Sequence, residues 1–239
     1  MHPHDAGDAE VVARTEVGGL QGPAELAKSI DRPAEIDGTH AVAAPVRKRP
    51  KPGERRVQIL QAVAAMLEQP GVDRVTTAAL ASRLGVSEAA LYRHFASKAQ
   101  MFEGLIEFVE HTVFTLIHQI QDREPASNFQ VQKMVAVLLQ FAETNPGMAR
   151  VMVGDALVFE NDRLALRMNR FFERFESQLR QSLRASASAS GSATPTVDAS
   201  AQASVLTAFA VGRLQRFARS AFKRSPTEHL DTALRMLAP

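Results

Sequence analysis

The residues best equipped for chemistry in this sequence fall within a stretch of about two dozen. Arg93 carries a planar guanidinium able to donate two parallel hydrogen bonds to a guanine edge. Tyr92 and His94 flank it with polar tips suited to phosphate oxygens. Ala89, four residues earlier, is small enough to let a helix approach the bases. Thr76, Thr77 and Ser87 place hydroxyls where helices begin, beside backbone amides that can meet a phosphate. Lys98 is a cation at the first position of a helix, where it opposes the helix dipole at a cost of a few tenths of a kcal/mol, roughly. A nearby phosphate removes that conflict.

Charge is distributed to match. Residues 47–98 hold ten Lys/Arg against four Asp/Glu, a net +6, while the whole 239-residue chain is only +2. The basic arm Arg47, Lys48 and Arg49 continues through Lys51, Arg55 and Arg56, broken by Pro50, Pro52 and Gly53. Positive charge gathered on one short segment is what a phosphate-binding module requires. Residues 1–46 carry eight acids and three bases, a net −5. They show no sustained period and read as a disordered acidic tail.

Several function classes are disfavoured. The chain has no cysteine, so disulfides, thiolate metal sites and cysteine nucleophiles are out. The seven histidines show no metal-ligand spacing. No glycine-rich phosphate loop is present, and Ser188, Ser190 and Ser192 lie in low-complexity sequence. Neither an enzyme nor a cofactor or metal is expected. No apolar run spans a bilayer and MHPHDAGDAE lacks the parts of a secretory signal, so a cytoplasmic protein is expected.

The elements that must position these residues are helical. Leu60, Val63, Ala64 and Leu67 make a first apolar stripe before Pro70-Gly71. Thr76 or Thr77 caps a second helix carrying Leu80, Ala81 and Leu84 inward. Gly85 supplies a turn, and Ser87 caps a third helix through Phe95, anchored by Leu91 and Phe95. Residues 76–96 therefore have the arithmetic of a helix-turn-helix. Ser97 and Gln100 form a capping box opening a long helix whose stripe is Phe102, Leu105, Val109, Val113, Leu116 and Ile120. Helices follow at about 128–143, 146–153 and 161–185, the middle one opened by Asn145 as cap with Pro146 at its first position. The stretch 185–200 reads as a flexible loop, and another long helix ends before Pro226. The organisation expected is a tail (1–46), an arm with a three-helix reading head (47–98), and a helical regulatory and dimerisation domain (99–239), all-α throughout.

The ending Leu91-Tyr92-Arg93-His94-Phe95 with Lys98 resembles the tetracycline-repressor (TetR) family of DNA-binding regulators. The resemblance implies a homodimer with two N-terminal reading heads on double-stranded DNA. It extends through SEAALYRHFASKAQMFEGLIEFVE and ETNPGMARVMVGDALVFENDRLALRMNRFFERFESQLRQSLR to RLQRFARSAFKRSPT, and there it is similar to the nucleoid-occlusion branch of that family. That branch implies palindromic chromosomal sites, a nucleoid location, and antagonism of the tubulin-like division protein FtsZ through its C-terminal tail. Phe108, Val137 and Asn145 match positions that meet the tail in that branch, whereas Thr144 stands where it carries an arginine. A ligand-responsive transcriptional repressor is the alternative the wider family offers.

Two features are ambiguous in sequence. Leu164, Met168, Phe171, Phe172, Phe175, Leu179 and Leu183 share one broad helical face, and with the second long C-terminal helix beyond the loop they suit either an intermolecular four-helix bundle or an internal core. The two half-sites that helix-turn-helix proteins commonly need favour the seam. Phe108 lies off the main stripe, among Gly104, His111 and Thr115. By itself it fits a contact with a neighbouring helix, and under the resemblance a partner surface.

Overall fold

The computed structural model describes residues 53–69 and 74–239. Helices α1 (Glu54–Leu67), α2 (Thr77–Leu84) and α3 (Glu88–Tyr92) make the N-terminal head where the sequence places the reading head. The body follows as α4 (Lys98–Arg123), α5 (Asn128–Thr144), α6 (Pro146–Met152), α7 (Asp162–Ala189), α8 (Pro195–Arg219) and α9 (Leu230–Leu237), with a 3-10 turn at Asp155–Leu157. There is no strand among the described residues. The acidic segment 1–46, the arm residues Arg47, Lys48 and Arg49, and the stop at Pro70-Gly71 lie outside the described residues.

Capping follows side-chain chemistry. Thr76, Ser87, Ser97, Ser127 and Asn161 each accept from a backbone N–H in the first turn of the helix they open. Gln100 reaches back to the Ala96 N–H at 2.8 Å, one residue beyond the reciprocal box partner. Asn145 departs more clearly. Its side chain does not cap α6 but turns backwards, the amide donating to the Phe141 carbonyl at 2.8 Å.

The core runs along α4 and α7. Phe102, Leu105, Val109 and Val113 are buried as their spacing predicts, joined by Met101, Ile106, Phe114 and Ile117. The apolar face of α7 requires a correction. Leu164, Met168, Phe171, Phe175, Leu179 and Leu183 are buried within this chain, where α7 packs against α4, α5 and α8. Phe171 meets Phe114 at 5.2 Å between ring centroids. Those six residues are internal core rather than a seam between protomers, and Phe172 beside them is only half-buried.

The segment 185–200 is also more ordered than its composition suggests. Only 190–194 separate α7 from α8. Alternating Ala and Ser continue a helix because alanine has the best helix propensity. Asp198 gathers the short turn, accepting from Ser192 Oγ at 2.8 Å and Thr194 Oγ1 at 3.1 Å. The terminal helix α9 was not apparent in the sequence; Leu230 and Leu234, four apart, seat it on α5 and α8.

Head and body meet closely. Gly147 in α6 lies where a Cβ would stand 2.4 Å from the Ala64 carbonyl oxygen. Arg150 Nη1 donates to the Leu67 carbonyl at 3.2 Å. Helix α1 is thus held by the backbone of α6 as well as by α4, and the described helices belong to one compact unit.

Candidate nucleic-acid interface

Helix α2 ends at Gly85, whose φ of 62° provides the left-handed turn into α3. Helix α3 is short. Its α-helical part stops at Tyr92, and Arg93, His94 and Phe95 continue as a tightened turn with the His94 and Phe95 N–H groups bonded to the Leu91 carbonyl. The expected helix through Phe95 is therefore three residues too long. Leu91 and Phe95 are buried and fix its inner side. Ser87, Ala89, Tyr92, Arg93 and His94 are all exposed around the opposite side, and Tyr92 is 45% accessible.

Two further contacts stiffen this edge. Thr77 Oγ1 donates to Glu88 Oε2 at 2.5 Å, tying the start of α2 to the start of α3. Thr76 is exposed and serves as the cap. The second contact involves Arg56, which in sequence counts only as charge in the arm. Its Nη1 donates to the His94 carbonyl at 3.1 Å, and its guanidinium lies 4.1 Å from the Phe95 ring centroid. Arg56 positions the end of the reading segment from α1. A contact across 38 residues leaves no local sequence signal.

Lys98 is placed differently from its fellows. It is half-buried, lies 5.6 Å from the Phe102 ring, and its Nζ contacts the carboxylate of Glu160, just before α7. Glu103, one turn along α4, takes an ion pair from Arg163 at 2.8 Å.

The residues assigned to a partner sit on the body. Phe108 is half-buried and tilts against Phe141, ring centroids 5.9 Å apart, so it has an internal neighbour. Val137 and Phe141 are four apart on α5 and share a face, and Asn145, just past the end of the helix, turns its side chain back to it. Asn145 bonds to the Phe141 carbonyl and to Thr144 Oγ1. Phe108 and Asn145 thus both touch Phe141, with Val137 one turn before it on α5. Gly104, read as part of a polar face, is buried beneath Leu60 of α1. On its other side Phe108 borders an open groove of about 650 Å³ between α1, α4 and α7. There Arg167 donates twice to Glu110, at 3.0 and 2.5 Å, and Arg174 stacks 3.9 Å from the Phe114 ring. Among the described residues no group of His, Asp or Glu is arranged to hold a metal, and no helix is long and apolar enough to cross a membrane.

Comparison with known proteins agrees with this arrangement. Residues 59–105 match the bacterial regulatory proteins of the tetR family, and residues 126–238 match the tetracyclin repressor-like, C-terminal domain of SlmA-like proteins. The chain is 51% identical over 177 residues to the nucleoid occlusion factor SlmA of Idiomarina loihiensis, covering 74% of this chain and 90% of that one. It is 50% identical over 189 residues to the SlmA of Photobacterium profundum, covering 79% and 96%. Among solved structures, the FadR regulator of Bacillus subtilis in complex with stearoyl-CoA aligns with a TM-score of 0.60 at 14% identity, covering 76% of this chain and 96% of that one. At that identity the likeness is one of fold.

Proposed function

The chain belongs to the SlmA family of TetR-type DNA-binding regulators, which are not enzymes, and from that footing we propose that it is a nucleoid occlusion factor. In this reading a homodimer binds palindromic chromosomal sites. Bound there, it engages the C-terminal tail of FtsZ, antagonises FtsZ assembly and blocks septum formation over the nucleoid, with which it is associated.

The observation that carries the reading is identity of about one half extending through both head and body. The exposed edge of Ala89, Tyr92, Arg93 and His94 suits a major groove, with Arg93 reading bases and its neighbours meeting phosphates. Thr76, Thr77, Ser87 and Lys98 supply hydroxyls and charge at helix starts, and Arg47, Lys48 and Arg49 extend the basic track. Phe108, Val137 and Asn145 around Phe141 offer an apolar surface with one polar edge for the tail.

The protomers pair through α8. Val197, Ala201, Val205, Ala208 and Gly212 are exposed and fall within one narrow face of the helix. Val197 and Val205 are 67% and 51% accessible. Small residues along such a face let a second helix approach closely.

The test is titration of a labelled FtsZ-tail peptide with the full chain, alone and with duplex DNA that the protein has selected from a random pool. Tail binding that tightens on the selected DNA is expected. No tail binding in either condition would sink the division reading and leave a ligand-responsive repressor as the better account.

A further inference from the structure

Lys98 and Glu160 are 62 residues apart in sequence, yet their side chains meet at the junction of reading head and body. The side chains are 18% and 8% exposed, so the contact is largely withdrawn from solvent. Lys98 is the first residue of α4, with the exposed reading edge of Tyr92, Arg93 and His94 a few residues before it. A cation at a helix start calls for an anion beside it. The anion present is the Glu160 carboxylate, carried on the turn between Leu157 and Asp162 and held there by the bond from its own N–H to the Leu157 carbonyl at 2.9 Å. The Arg163–Glu103 pair straps the start of α7, just after that turn, to the next turn of α4.

We propose that Glu160 is an affinity-determining residue for DNA, its carboxylate occupying at Lys98 the place that a backbone phosphate takes on binding. The inference rests on the reading of Lys98 as a phosphate contact. The ammonium is shared between two competing anions, one internal and one on DNA. Because linkage is reciprocal, whatever the carboxylate subtracts from phosphate binding, DNA subtracts from the attachment of the turn. Val158 and Phe159, exposed just ahead of Glu160, lie on the segment that is freed.

The test measures the affinity of the full chain for nonspecific duplex across a salt series, in wild type, Glu160→Gln, Lys98→Ala and the double variant. Glu160→Gln is expected to tighten binding about three- to tenfold near physiological salt. The log–log salt slope should stay close to that of wild type, because Lys98 neutralises the same phosphate in both complexes. In the Lys98→Ala background the same substitution should change neither quantity. Equal tightening in both backgrounds would mean general charge repulsion and overturn the proposal. Weaker or unchanged binding by Glu160→Gln alone would overturn it too, making Glu160 a holder of Lys98 rather than a competitor. If Glu160→Gln does not fold, Glu160→Asp, which keeps the charge but shortens the reach, should show a smaller tightening that again vanishes without Lys98. A Lys98→Ala variant with an unchanged salt slope would instead remove the phosphate role of Lys98 itself.

Discussion

Gly147 approaches Ala64 so closely that a Cβ on the glycine would stand 2.4 Å from the alanine carbonyl oxygen. Backbone cannot yield there as a flexible side chain could. Helix α6 of the body therefore touches α1 of the reading head at a point where only glycine fits. Gly147→Ala is expected to destabilise the fold by about 2–4 kcal/mol, despite the better helix propensity of alanine. Urea unfolding checks this, and an unchanged midpoint would show that the contact is looser than described.

Arg93 projects from the outer side of the tightened turn after α3, and its assignment is to base edges. Arg93→Ala should cost about 1–3 kcal/mol on a selected site while leaving nonspecific binding nearly intact. Arg56→Ala should weaken both modes, because it removes the support under His94 and Phe95. Parallel titrations on selected and scrambled duplexes separate the two roles; equal losses in both modes for Arg93→Ala would reassign it to the backbone.

Val205 lies in the middle of the exposed face of α8. A carboxylate buried opposite its symmetry mate would be strongly disfavoured. Val205→Asp is expected to yield a folded monomer by light scattering and to lose cooperative binding to palindromic sites. A variant that remains dimeric would place the seam elsewhere.

Phe108 borders the surface assigned to the FtsZ tail. Aromatic anchors at interface centres often account for about 2 kcal/mol or more, so Phe108→Ala should lower tail affinity by roughly thirtyfold. Its contact with Phe141 also contributes to stability, and the comparison needs a variant shown to be folded. DNA affinity should stay unchanged. Full tail binding by such a variant would remove Phe108 from the site.

Glu68 supplies a pH dependence. Burial, the largest effect, raises its carboxyl above the ordinary value, with the Gly147 N–H and the charge of Arg83 acting in the opposite direction. A raised folded value means that the unfolded chain ionises first as pH increases. The contribution to stability is thus fully present below the unfolded value and is lost as pH rises through the folded one. Glu68→Gln should have little effect at pH 4 and become relatively more stable towards pH 7. Urea midpoints at three pH values decide it, and a reversed trend would mean that the Gly147 bond outweighs burial.

The sequence by itself determined what depends on local spacing and side-chain chemistry. The caps at Thr76, Ser87 and Ser97, the turn at Gly85 and the inward pair Leu91 and Phe95 all follow from interactions within one helix turn or one face. The family was legible for the same reason, since its motif is continuous in the chain. Tertiary structure decided whatever depends on the element that covers a face. The stripe of α7 looks the same whether it meets a second protomer or its own core, and packing made it core. Ala-Ser repeats fit either a loop or a helix until Asp198 closed the short turn. Phe108 found Phe141, Arg56 found His94 and Lys98 found Glu160 across 33, 38 and 62 residues. Periodicity along a helix says which side is apolar or charged, but only the folded chain brings a particular partner to it.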